Sequence, residues 1–278
     1  MRHPAASPRH RDTIHPASLS AFALLLLAFA AVSLPACADP ARERFDRGQK
    51  AFLENRMDAA LADYRSIPIE YPQSRYAPAA LLRQGDLFGS YYRNAEAAVE
   101  AYGSLLFNYP RSPEAPHALL RRAEIRLLRF FDYASAVADL ELIRKQVPGF
   151  AEQDRVMLLL AKAYGGLPDP ARQARVLSDL IEKYPDSPRA MEARWINAYQ
   201  LLAQAQYAEA DREFRKILYL VSDRGAAARA RWGMAQAMEG EGDLGAALVQ
   251  YEAIREDWED PEYIDQKVER LKKRLATE

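Results

Sequence analysis

The side chains that most often do chemistry are scarce and scattered in this sequence. Histidine occurs four times, at His3, His10, His15 and His117. The first three stand in an N-terminal stretch that reads as a leader, so a processed chain keeps one histidine, and neither a His-based triad nor a His/Cys metal cluster can be assembled. Cys37 is the only cysteine. It has no partner for an intramolecular disulfide and is left as a thiol open to modification. Gly165-Gly166 is not followed by Lys-Ser or Lys-Thr and lacks phosphate-loop spacing. Carboxylates are plentiful, and an acid pair of the glycosidase kind stays open on sequence grounds, although most of them fall at polar helical positions, as on a solvated face. The expectation is a non-enzyme without cofactor, metal or small-molecule substrate. Two features suit binding instead. Arg122, Arg126 and Arg129 form an i, i+4, i+7 stripe that could meet an acidic partner or simply face solvent with Glu124. Trp195 and Trp232 are 37 residues apart and could be interface anchors or core packing.

The leader spans residues 1–36. Arg2, Arg9 and Arg11 precede an apolar run from Leu19 to Leu34, which ends in Leu34-Pro35-Ala36-Cys37. The run is shorter than the roughly 20 residues that cross a bilayer, so a cleaved signal is the better reading than a retained span. The junction resembles a bacterial lipobox, with Pro35 as a departure from its usual small residue. That resemblance implies cleavage between Ala36 and Cys37, acylation of Cys37, and a chain anchored to a membrane without spanning it. Ala38 in place of aspartate points, by the same resemblance, to the outer membrane. The alternative is a chance cysteine beside an ordinary signal-peptidase site.

The elements that position these residues emerge from composition and period. At 49% hydrophobic and 28% charged, with 12 glycines among 278 residues, the chain is an ordinary globular one of helix-favouring type. A formal charge of −1 offers no general attraction to nucleic acid. One column reads Ala60, Ala98, Ala136, Gln173, Ala210, Ala247; four residues later stand Tyr64, Tyr102, Leu140, Leu177, Phe214, Tyr251; three later, Ile67, Leu105, Ile143, Leu180, Ile217, Ile254. Each trio lies on one helical face, and the columns recur every 37 or 38 residues. A preceding helix is marked by the small residues Gly48, Gly85, Ala123, Ala161, Ala198 and Ala235. Tyr71-Pro72, Tyr109-Pro110, Val147-Pro148 and Tyr184-Pro185 stop the helices. Ser74, Ser112 and Ser187 are placed to cap the next ones, with Pro113 and Pro188 at the first helical position, and Asp169-Pro170 repeats the device within a hairpin.

Small, aromatic and proline positions in helix pairs resemble the tetratricopeptide repeat (TPR), with a period three or four residues longer and without proline at Val221-Ser222 and Trp258-Glu259. The Tyr-Pro-x-Ser linkers resemble those of TPR envelope lipoproteins, the subfamily that includes the lipoprotein subunit of the outer-membrane β-barrel assembly machinery, which has five repeats where this chain has six. The expected architecture is an all-α, TPR-like superhelical solenoid: a lipidated tether at 37–41, six helical hairpins over 42–258, and a capping or partner-docking helix over 259–278. The resemblance implies an outer-membrane-anchored, periplasm-facing scaffold with protein partners in the cell envelope. Two other readings are a scaffold for a different envelope machine and, more distantly, a carboxylate-dependent cell-wall hydrolase.

Overall fold

The computed structural model describes residues 39–277. The cleavage junction at Ala36 and Cys37 lies outside the described residues. Thirteen α-helices follow one another within that range. They pair as α1 (Pro40–Leu53) with α2 (Met57–Glu70), α3 (Tyr76–Asp86, continued by a π-helical turn Leu87–Tyr91) with α4 (Ala95–Asn108), and α5 (Ala115–Leu128) with α6 (Tyr133–Gln146). Then come α7 (Gln153–Gly165) with α8 (Pro170–Lys183), α9 (Pro188–Ala203) with α10 (Tyr207–Leu220), α11 (Arg224–Glu241) with α12 (Leu244–Ala253), and finally α13 (Pro261–Leu275). Six hairpins and a terminal helix make an all-α solenoid of the TPR type.

The second helices bury their repeated trios, apart from Gln173 in hairpin four, which is partly buried. Ala60, Ala98, Ala136, Ala210 and Ala247 are fully buried, and Tyr64, Tyr102, Leu140, Leu177, Phe214 and Tyr251 stand beside them with almost no exposure. The large ring needs room on the facing helix, and the small column provides it. A Cβ at Gly85 would run into the Tyr102 ring, as one at Gly48 would meet Tyr64 at 2.8 Å. Hairpin four shows the trade in reverse. Gln173 replaces the alanine, and a Cβ on Gly165 of α7 would collide with its amide. Size is thus conserved across the pair and not at one position.

Helix ends follow the proline and cap chemistry. The chain leaves α2, α4, α6 and α8 through Tyr71, Tyr109, Val147 and Tyr184, all near φ −131 to −133, ψ 53 to 66, and each donates its N–H back to the last turn. Proline comes next and cannot continue the helix. Ser74 and Ser187 accept from Tyr76 N–H (3.2 Å) and Arg189 N–H (3.1 Å) as expected. Ser112 does not cap: its buried Oγ lacks a protein partner, and Pro113 lies in the turn before α5, where Pro116 occupies the first helical turn instead. Tyr109 Oη donates to the Pro72 carbonyl at 2.7 Å, tying one linker to the linker before it.

Five of the six hairpin turns share a second device. Asn55, Arg93, Phe131, Ala205 and Gly242 all adopt positive φ, at intervals that follow the repeat. Only Gly242 enters that region without a Cβ penalty. At the C-terminal end, α13 lays Ile264, Val268 and Leu271 against hairpin six and is the cap that the open end of a solenoid requires.

Candidate functional site

First helices of successive hairpins touch one another, α1 to α3, α3 to α5, α5 to α7, α7 to α9 and α9 to α11, while each second helix packs chiefly between two first helices. The side on which neighbours crowd is the inner side of the curve, so the first helices line the groove.

Charged rungs cross this face. Arg155 of α7 bonds Glu124 of α5 (Nε to Oε1, 3.0 Å) and Glu152 (2.7 Å), and Lys162 of α7 reaches Glu192 of α9 at 2.6 Å. Burial works against the Arg155 charge, but the hydrogen bonds to Glu152 and Glu124 outweigh it and its pKa is raised. His117 lies 3.7 Å from Glu152 and meets the Phe150 ring edge-on at 5.0 Å.

Trp195 and Trp232 stand on adjacent first helices, α9 and α11, and take different partners. Trp195 stacks on Tyr199, one turn along its own helix, at 6.0 Å and 20°, with the Arg229 guanidinium of α11 over it at 5.5 Å. Phe214 of α10 supports the pair from behind, 5.1 Å from Tyr199. Trp195 is partly buried and Tyr199 is 41% exposed, so the stack is an open aromatic platform rooted in the core. Trp232 is boxed. Trp258 stacks on it at 4.8 Å and 25°, Tyr251 closes at 4.9 Å and Tyr263 of α13 at 5.7 Å. The box belongs to the cap. Beside Arg229 a cleft of about 450 Å³ opens, lined by Asp223, Gly225, Asp257, Trp258 and Glu259.

The arginine stripe divides. Arg122 clamps Asp139 of α6 through two bonds of 2.9 and 2.6 Å, and Arg126 adds a third at 2.7 Å. Asp139 is 4% exposed, so both guanidiniums complete a buried ionic contact inside hairpin three. Arg129 alone is exposed, at the end of α5. The intervening Glu124 faces Arg155 and is not part of a solvated stripe.

Tyr199, Arg229 and Trp258 were not singled out by sequence reasoning. Tyr199 carried a usable signal, since it follows Trp195 by four residues; Arg229 and Trp258 reach the site from later elements.

No protein-family model matches the chain, and no curated protein matches it. Solved structures do. YrrB, described as a TPR protein with an unusual peptide-binding site, aligns over 69% of this chain and 90% of its own at 18% identity, with a TM-score of 0.54. Acl4, described as an assembly chaperone of RpL4, aligns over 86% of this chain and 99% of its own at 17% identity and a TM-score of 0.52. A chain of the Naa15/Naa10 complex bound to HypK-THB gives 0.55 over 83% of this chain and 38% of its own, at 14% identity. At such identities the likeness shows the fold, a TPR-type solenoid.

Proposed function

We propose that this TPR-type solenoid is a protein-interaction scaffold that holds a segment of a partner protein against the inner face of its C-terminal hairpins. The observation that carries the reading is the Trp195–Tyr199 platform with Arg229 across it. Flat, partly exposed aromatics fixed by a core contact give contact area with little ordering cost, and a neighbouring guanidinium can bond a carbonyl or carboxylate of the bound chain. Two of the similar chains support the direction, one described by its peptide-binding site and one as an assembly chaperone.

The leader, the junction at Ala36 and Cys37, and Ala38 favour a lipoprotein anchored in the outer membrane and facing the periplasm. The Tyr-Pro-x-Ser linkers favour a role in outer-membrane protein assembly. Crosslinking and affinity capture from membranes test both. β-Barrel assembly components among the captured proteins are the expected result, and capture of cell-wall, secretion or division components instead would move the scaffold to another envelope machine. Metabolic labelling with a fatty-acid analogue should mark the wild-type chain and not Cys37→Ser; an unlabelled wild type would remove the anchor.

A further inference from the structure

Two positions after the last column of each second helix, the repeat reads Ile69, Phe107, Lys145, Glu182, Tyr219, Glu256. In hairpins one and two this place holds large apolar side chains that are almost wholly exposed, 78% for Ile69 and 85% for Phe107. Hairpins three and four replace them with charge, and hairpin five returns an exposed aromatic, Tyr219, so Ile69 and Phe107 are the apolar pair at the N-terminal end of the edge where linkers join hairpins. That edge also carries Tyr71-Pro72 and Tyr109-Pro110, with exposed Arg75 and Arg111 in the same two linkers. Two of its carboxylates are engaged, since Asp39 caps α1 and Glu70 pairs with Arg44.

The described chain begins at the same edge. Arg44, in the second turn of α1, pairs with Glu70 and lies over the Tyr71 ring at 5.4 Å, which fixes the start of α1 beside the first linker. Two peptide units separate Asp39 from Cys37, a covalent reach of about 7 Å. An acyl chain on Cys37 would therefore hold the bilayer surface close to this edge.

Resting on the lipid-anchor reading, we infer that the linker edge of hairpins one and two docks on the membrane, with Ile69 and Phe107 entering the interface and Arg75 and Arg111 meeting lipid phosphates. One anchor and an apolar, basic edge are complementary signals, because interfacial side chains add to acyl binding and basic ones are drawn to anionic lipid. The docked edge would set the solenoid upright, with α13 as its far end.

Full-length protein isolated with its acyl chains and bound to vesicles of phosphatidylethanolamine and phosphatidylglycerol tests this. Ile69→Cys, Phe107→Cys, Lys145→Cys and Glu182→Cys each receive a bimane label, and lipid-borne nitroxide is the quencher. Quenching several-fold stronger at 69 and 107 than at 145 and 182 is expected. Equal quenching at all four, or none at 69 and 107 on vesicle-bound protein, would overturn the docked edge and leave the anchor standing. Bimane on wild-type Cys37, whose thiol acylation should block, would overturn the anchor and the docking together. Shielding of position 107 in native membranes but not on vesicles would assign the edge to a protein and overturn lipid docking.

Discussion

Asp154, on the first helix of hairpin four, accepts from Ser187 Oγ at 2.6 Å and Arg189 Nη1 at 3.0 Å, both at the start of hairpin five. Burial pushes its carboxyl up, but these donors and the Arg155 N–H outweigh it, and the group is held below the usual carboxylate range. Because the folded pKa lies under the unfolded value of about 3.9, the stabilisation is present above that value and is lost as pH falls through the folded one. Asp154→Asn should lower stability by about 1 to 2 kcal/mol near pH 7, and urea midpoints of the two proteins should converge in acid. A gap that stays constant with pH would deny the carboxylate this role. The tryptophans separate in the same way, by what they touch. Trp232→Ala empties the aromatic box under α13 and should cost about 3 kcal/mol of stability. Tyr199→Ala removes a side chain already 41% exposed and should stay within about 1 kcal/mol in stability while weakening partner capture by about 2 kcal/mol. Calorimetry alongside binding measurements on the two variants would show the opposite ranking if Trp232 were the contact residue. The sequence showed both tryptophans in one repeat column but could not tell a roofed ring from an open one, since the roof is made by Trp258 at the last linker and Tyr263 of the terminal helix.

Helix pairs in this chain are matched by volume. Gly85 sits against the Tyr102 ring, whose hydroxyl donates to Asp86 at 2.8 Å, so the tyrosine is held on both faces and cannot swing aside. Gly85→Ala should therefore cost about 1 to 3 kcal/mol through overpacking, despite alanine's better helix propensity. Adding Tyr102→Leu should recover part of the loss. An unchanged thermal midpoint for Gly85→Ala would show that the pair is looser than the structure has it. These small and aromatic columns were legible in the sequence because core packing repeats with the period and so declares its register. The Tyr-Pro stops and the Asp-Pro start were legible too, since both act through local backbone chemistry. Three things were not. The Ser112 hydroxyl was placed by motif and turns inward. The left-handed residue of five of the six hairpin turns is Asn, Arg, Phe, Ala or Gly, so composition hardly marks it. The basic stripe on α5 looked free because its counter-ion, Asp139, is contributed by the next helix.

At the scale of the whole molecule, stability and recognition are distributed along one line of hairpins, each contacting its neighbours. The line is asymmetric. Its N-terminal end carries the linker edge with Ile69 and Phe107, and its C-terminal end is closed by α13, held by Ile264, Val268 and Leu271 and by ion pairs from Lys267 to Glu239 (2.8 Å) and Lys272 to Glu252 (3.0 Å). The open platform at Trp195 and Tyr199 lies one hairpin in from that cap, on the inner face. The most direct test is site-specific photocrosslinking in cells, with the crosslinker at position 199 on the inner face or at position 249 on α12, where Val249 is 59% exposed on a second helix. A discrete protein adduct from position 199, lost when Trp195→Ala is added, and none from position 249, is the predicted result. Adducts from 249 alone, or from 199 with no dependence on Trp195, would contradict binding through the groove.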